Sequence, residues 1–118
     1  MADANHIAEC DYVGIVSAND VPDKFARAGF HAAKSEFVNA PIIKELPMTV
    51  ECRLLKFNED EICIGEIVNI SANEEILNEK GQIDVHKLDP ITYDSSNHTY
   101  WRIGEAAGKA FADGKKIK

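Results

Sequence analysis

The stretch Met48-Thr49-Val50-Glu51-Cys52-Arg53-Leu54-Leu55-Lys56-Phe57, joined through Asn58-Glu59-Asp60 to Glu61-Ile62-Cys63-Ile64-Gly65-Glu66-Ile67-Val68-Asn69-Ile70-Ser71, decides the fold. Met48, Val50, Cys52 and Leu54 alternate with Thr49, Glu51 and Arg53, the period-two pattern of a half-buried strand. In the second run Ile62, Ile64, Val68 and Ile70 share one parity. A three-residue loop pairs position 54 with 64 and position 50 with 68, so the apolar faces coincide, and a one-residue slip would separate them. In that register Glu66 lies on the apolar face opposite Cys52, where a carboxylate needs a cation or an N–H partner. The other parity of the second run, Cys63, Gly65, Ile67 and Asn69, is mixed rather than polar. That predicts a strand covered on both faces, as in a barrel wall.

The flanks carry shorter elements. Ile7, Cys10, Val13 and Ile15 have roughly helical spacing within 6–16, with Asn5 as the expected N-cap. Pro22 suits a first helical turn, and 23–28 reads as a short helix closed by Gly29. Residues 30–37 are ambiguous, and 38–41 read as an extended approach to Pro41. After the hairpin, 73–78 can form a turn of helix, Lys80-Gly81-Gln82 a reversal, 83–85 a short extended piece and 86–90 a turn. Residues 91–93 and 99–103 have strand composition around a turn at Ser95-Ser96-Asn97-His98. Residues 104–113, with Ala106, Ala107, Ala110 and Phe111, read as a terminal helix stopped by Gly114. The expected class is mainly β with peripheral helices, in a single domain over 1–118.

Twenty acidic and thirteen basic residues give a formal charge of −7. Such a surface repels nucleic-acid phosphates and anionic lipids, and the basic cluster Lys115-Lys116-Ile117-Lys118 reads as a solvated tail. No run approaches the roughly 20 apolar residues of a membrane helix. No cationic start is followed by an apolar stretch, so the expected location is the cytoplasm. Cys10, Cys52 and Cys63 form no close pair, which fits free thiols; His6 and Cys10 lie four apart, but no second Cys/His pair follows to complete a metal site.

Five pieces in order resemble the flavin reductase-like, flavoredoxin-type family: 11–17 (DYVGIVS) with 23–29 (DKFARAG); 39–43 (NAPII) running into Val50-Glu51-Cys52-Arg53-Leu54; Ile64-Gly65-Glu66-Ile67-Val68; 87–93 (KLDPITY); and 100–105 (YWRIGE). The resemblance covers about 9–112. It implies an FMN-binding split β-barrel that works as a homodimer and passes electrons from a reduced nicotinamide or a redox protein through FMN. It also implies that the family's N-terminal strands, which carry most of the FMN phosphate contacts, have no counterpart here; the barrel is then incomplete and completed by dimerisation. By the same resemblance Gly14 and Ser17 lie near the flavin ring, Asn69 and Ser71 end a strand directed toward flavin or substrate, and Tyr100 or Trp101 borders the ring. Ordinary structural roles compete at each position: a helix end for Gly14 and Ser17, a strand end for Asn69 and Ser71, an aromatic core or dimer contact for Tyr100 and Trp101. His98 is the only histidine near that pocket and otherwise a turn residue. No residue is expected to be an obligatory acid or base, because the flavin would carry the chemistry. The rival reading is a non-catalytic dimerising or partner-binding scaffold of the same fold.

Overall fold

The computed structural model describes residues 1–117. Its elements run α1 (Ile7–Ile15), α2 (Lys24–Arg27), β1 (Ala32–Lys34), β2 (Pro41–Ile43), β3 (Met48–Phe57), β4 (Cys63–Ala72), α3 (Val85–Leu88), β5 (Ile91–Asp94) and β6 (Thr99–Arg102). The six strands pair consecutively into three antiparallel two-stranded ribbons. The radius of gyration, 17.3 Å, exceeds the about 13.5 Å expected of a compact chain this long. The ribbons thus stand apart as an incomplete barrel, and most side chains of β3 and β4 are exposed. The expectation that both faces of β4 are covered is not met within a single copy.

The β3–β4 pairing differs in register from the sequence expectation. Leu54 faces Gly65 rather than Ile64, and Val50 faces Ile70 rather than Val68. The cause is the connection. Asn58 Oδ1 accepts the Asp60 and Ile62 N–H groups at 3.1 and 2.8 Å, and the Asn58 N–H donates to the Ile62 carbonyl at 3.0 Å. Glu61 takes a left-handed φ of 61°, so the turn closes over 58–62 instead of three residues. Irregularities then fall between Glu51/Cys52 and between Leu54/Lys56, leaving Val68 and Leu55 as the extra residues. Between these bulges the odd-numbered Gly65 and Ile67 face Leu54 and Cys52, which explains why that parity looked mixed. A Cβ on Gly65 would stand 3.2 Å from Cys52 Cβ, so glycine lets the strands close here. Glu66 lies opposite Arg53, not Cys52, and pairs with it at 3.2 Å in the open.

The buried apolar side chains among the described residues are Phe30, Ile76 and Leu88. Phe30 meets Phe25 at 5.6 Å and His6 at 6.4 Å between ring centroids. Gly29, at φ 78°, turns the chain out of α2 so that Phe30 can point inward. No atom lies near a Cβ built on Gly29, so Gly29→Ala would carry backbone strain alone, about 1–2 kcal/mol. Chemical denaturation of the variant is expected to show that loss without a change in m-value.

Other boundaries moved for identifiable reasons. The α1 cap falls on His6, not Asn5, because Asp3 Oδ1 accepts both the Asn5 and His6 N–H groups at 3.0 Å. Residues 85–88 wind into α3, where a turn was expected, because Asp84 Oδ1 accepts the His86 and Lys87 N–H groups. The terminal helix expected over 104–113 is absent. Phe111 has a left-handed φ of 61°, and Asp113 Oδ2 accepts the Lys109 N–H at 2.7 Å, closing a local turn. With every residue of 103–111 exposed, the alanines have nothing to pack against. Only a 3-10 turn, Asp113–Lys116, forms there. Of the expected basic tail, Lys118 lies outside the described residues.

Candidate functional site

The reversal over 95–98 pairs Tyr93 with Tyr100, their rings 5.6 Å apart and tilted by 49°. His98, at φ 52°, turns its ring back so that Nδ1 lies 2.7 Å from the Tyr93 hydroxyl. The Tyr100 hydroxyl donates to Asp11 Oδ1 at 2.7 Å, which joins β6 to α1 across 89 positions of chain. Cys10, Asp11, Gly14 and Ile15 of α1 complete a cleft of about 490 Å³ with Tyr93, His98 and Tyr100. Ligand clefts typically fall within about 300–1,000 Å³.

The hydrogen bond to Asp11, aided by burial and the carboxylate's charge, pushes the Tyr100 phenol above its ordinary value, so it stays protonated and donating at neutral pH. Burial, then the nearby Asp3 carboxylate, raises the Cys10 thiol. A thiol held protonated is a poor nucleophile at neutral pH. The cleft therefore offers an aromatic wall, two anchored hydroxyls and an open approach at Gly14, where a Cβ would meet nothing within 4 Å. It can hold a planar ring, and its lining has no lysine or arginine to neutralise a phosphate.

Of the six residues expected at a flavin site, Gly14 and Tyr100 meet in this cleft. Trp101 sits one position along β6 opposite Thr92, on the other face of the ribbon, and is 58% exposed. Ser17 occupies an exposed turn, its hydroxyl accepting the Asn19 N–H at 3.2 Å. The Asn69 amide donates to Glu51 Oε2 at 2.5 Å. Ser71 lines a separate hollow of about 230 Å³ beside Lys44, Thr49 and Asn73. Tyr93 and Asp11 were not singled out beforehand. The turn at 95–98 was legible, and carrying its pairing one step outward would have set Tyr93 against Tyr100.

A second polar centre ties the segment that follows β1 to the β3–β4 ribbon. Glu51 is 4% exposed and accepts from the Ser35 hydroxyl as well as from Asn69. Ser35 Oγ in turn accepts the Phe37 and Val38 N–H groups at 2.9 Å. The hydrogen bonds from Asn69 and Ser35 hold the Glu51 carboxyl below its ordinary range. The buried carboxylate that the sequence placed at position 66 is thus at position 51, with hydrogen-bond donors and no cation.

No protein-family model matches the chain. A stretch of 72 residues is 33% identical to an uncharacterized protein of Aquifex aeolicus (strain VF5), covering 58% of this chain and 37% of that one. Among solved structures, flavoredoxin of Desulfovibrio vulgaris (Miyazaki F) matches with a TM-score of 0.90 at 33% identity, over 97% of this chain and 62% of that one. Flavoredoxin from Methanosarcina acetivorans matches at 0.85 and 29%, over 98% and 62%. Component B of nitrilotriacetate monooxygenase from Bacillus cereus matches at 0.72 and 25%, over 92% and 57%. The chain thus spans less than two thirds of the length of each of these proteins.

Proposed function

We propose that this chain, which carries the fold of the flavoredoxins and flavin reductase-like split barrels as an incomplete barrel, belongs to an FMN-binding redox protein that transfers electrons through bound flavin. The observation that carries the reading is the flavoredoxin match, a TM-score of 0.90 over 97% of the chain at 33% identity. Bound flavin would supply the electron transfer, and the chain would position the ring and shield it from water. The cleft between α1 and the β5–β6 ribbon is the best-fitting place for the ring. There Tyr93 and Tyr100 would together form one aromatic wall against it, and the Gly14 backbone would allow close approach. Ser17, Asn69, Ser71 and Trp101 remain candidate contacts through the family resemblance. Because the cleft lining has no cation, a phosphate would be met by groups outside it.

Titration of FMN against the purified chain is the test. Quenching of flavin fluorescence is expected, with a rise in thermal stability that reaches about 2.7 kcal/mol at a hundredfold excess over Kd. Tyr100→Ala is expected to weaken binding by up to about tenfold, the loss of part of the aromatic wall. Riboflavin and FMN are expected to bind within about threefold of each other, since the lining offers no lysine or arginine to reward the phosphate. Saturating FMN with neither quenching nor a melting shift would remove flavin binding by this chain.

We also propose a homodimer, supported by the apolar side chains that β3 and β4 expose, among them Leu54, Phe57, Ile67 and Ile70 at 51–65% exposure. Such a surface also favours a second reading, a partner-binding scaffold of the same fold. A chain that dimerises yet ignores FMN would select it.

A further inference from the structure

The cleft between α1 and the β5–β6 ribbon carries a charge that stacking against a ring does not use. Among the residues that line it, Asp11 is the only carboxylate, and no lysine or arginine joins it. Asp11 is half-buried and forms no ion pair among the described residues. It accepts the Tyr100 hydroxyl at 2.7 Å, and a phenol supplies a dipole, not a compensating charge. The Tyr100 phenol and the Cys10 thiol are both held above their ordinary values, so neither adds or removes charge near neutral pH. His98, the remaining polar side chain besides Tyr93, has its Nδ1 engaged by the Tyr93 hydroxyl.

Helix polarity has the same sign. Gly14 and Ile15 bring the last turn of α1 to the cleft, and that turn holds no basic residue. Lys24 offsets part of this from outside the lining, its Nζ donating to the Val13 and Val16 carbonyls at 2.6 Å. The Asp11 carboxylate has no such cation.

Proximity makes the charge matter. Stacked aromatic rings lie with centroids about 4.5–7 Å apart, and Asp11 is one hydrogen bond beyond the rim of the Tyr100 ring. The near edge of a ring resting on the Tyr93–Tyr100 wall is then within about 8 Å of the carboxylate, the screening length at physiological salt. Reduction of a flavin adds two electrons and, near neutral pH, one proton, so the reduced ring carries a negative charge that the oxidised ring lacks. Like charges at this separation repel, more strongly at a half-buried site than in bulk water.

We infer that Asp11 tunes the redox balance of the bound flavin: its charge disfavours the reduced, anionic ring and makes the flavin a stronger reductant. The inference rests on the flavin reading of the cleft and adds to it, since an aromatic wall alone would accept either redox state. Asp11 acts through space on the ring's electronics and takes no part in bond making.

The test compares the midpoint potential of FMN bound to the full chain and to two variants, by dithionite titration against a reference dye. Asp11→Asn keeps the shape and can still accept the Tyr100 hydroxyl, but it loses the charge. It is expected to favour the reduced state by about tenfold relative to the parent, a rise of about 30 mV in a two-electron couple. That difference should shrink as salt is added, while affinity for oxidised FMN changes by less than about threefold. Asp11→Ser, which also removes the charge, should raise the potential too if the amide disturbs the helix. Tyr100→Phe removes the hydrogen bond and keeps the carboxylate, so its potential should not rise. Equal potentials in the parent and Asp11→Asn would overturn the inference while leaving flavin binding in place. An equal rise in Tyr100→Phe would overturn it as well, by assigning the effect to lost docking of α1 against β6. A parent that binds no flavin would remove the reading of the cleft itself, and this inference with it.

Discussion

Phe30→Ala is expected to remove about 3–5 kcal/mol of folding stability, the largest effect of any single truncation in this chain. Phe30 is 3% exposed and is the aromatic centre on which Phe25 and His6 converge. The buried apolar set is small, so few neighbours can collapse into the space the ring leaves. Folded domains keep only about 5–15 kcal/mol in reserve, so the variant should melt tens of degrees lower or be partly unfolded at 25 °C. Urea denaturation followed by circular dichroism gives the value. Phe37, 57% exposed, is the internal comparison: Phe37→Ala should stay within about 0.5 kcal/mol of the parent. Equal losses for the two would show that the Phe30 cluster is not the core.

Glu51→Ala should lower the melting temperature by more than Gly29→Ala does, because it affects three segments at once. The Ser35 hydroxyl and the Asn69 amide both lose their acceptor, and Ser35 also fixes the backbone at Phe37 and Val38. Buried donors left without an acceptor lose solvation that the fold no longer replaces. Glu51 also gives the fold a dependence on acid. Its carboxyl is held below the ordinary value of 4.5 by the hydrogen bonds from Asn69 and Ser35. A group depressed in the folded state stabilises fully above its unfolded value, and that stabilisation fades as pH falls through the folded value. The parent should therefore lose melting temperature as pH falls below about 4.5. Glu51→Gln should start lower at neutral pH and show a flatter acid limb. An unchanged limb in Glu51→Gln would assign the acid sensitivity to other carboxylates.

Hydrophobic alternation made the β3–β4 hairpin legible, because period two survives in the sequence whatever the register. The register itself was not legible: it depends on the Asn58 side chain closing a longer turn and on two extra residues that no local pattern announces. The helix 7–15, the reversal at Gly81 and the β5–β6 strands were readable from apolar spacing, glycine and β-branched runs. The terminal helix was misread because alanine spacing expresses propensity, and propensity without a packing surface does not hold a helix. At the candidate cleft, Gly14 and Tyr100 were reached only through family resemblance. Asp11 and Tyr93 join them through contacts between segments far apart in sequence, which composition cannot show. Asn69 illustrates the reverse: a polar strand end attracts a binding role, yet its amide is engaged by Glu51.

The two extra residues of the β3–β4 ribbon sit on opposite strands, Leu55 on one and Val68 on the other. Each alone would put the remainder of the ribbon out of phase, turning inward-facing groups outward; together they cancel, so base and tip keep a common parity and only the middle is inverted. Loss of either residue by itself would shift that phase for the rest of the ribbon, whereas losing both would straighten it with its ends intact. Relatives should accordingly gain or shed these two positions as a pair.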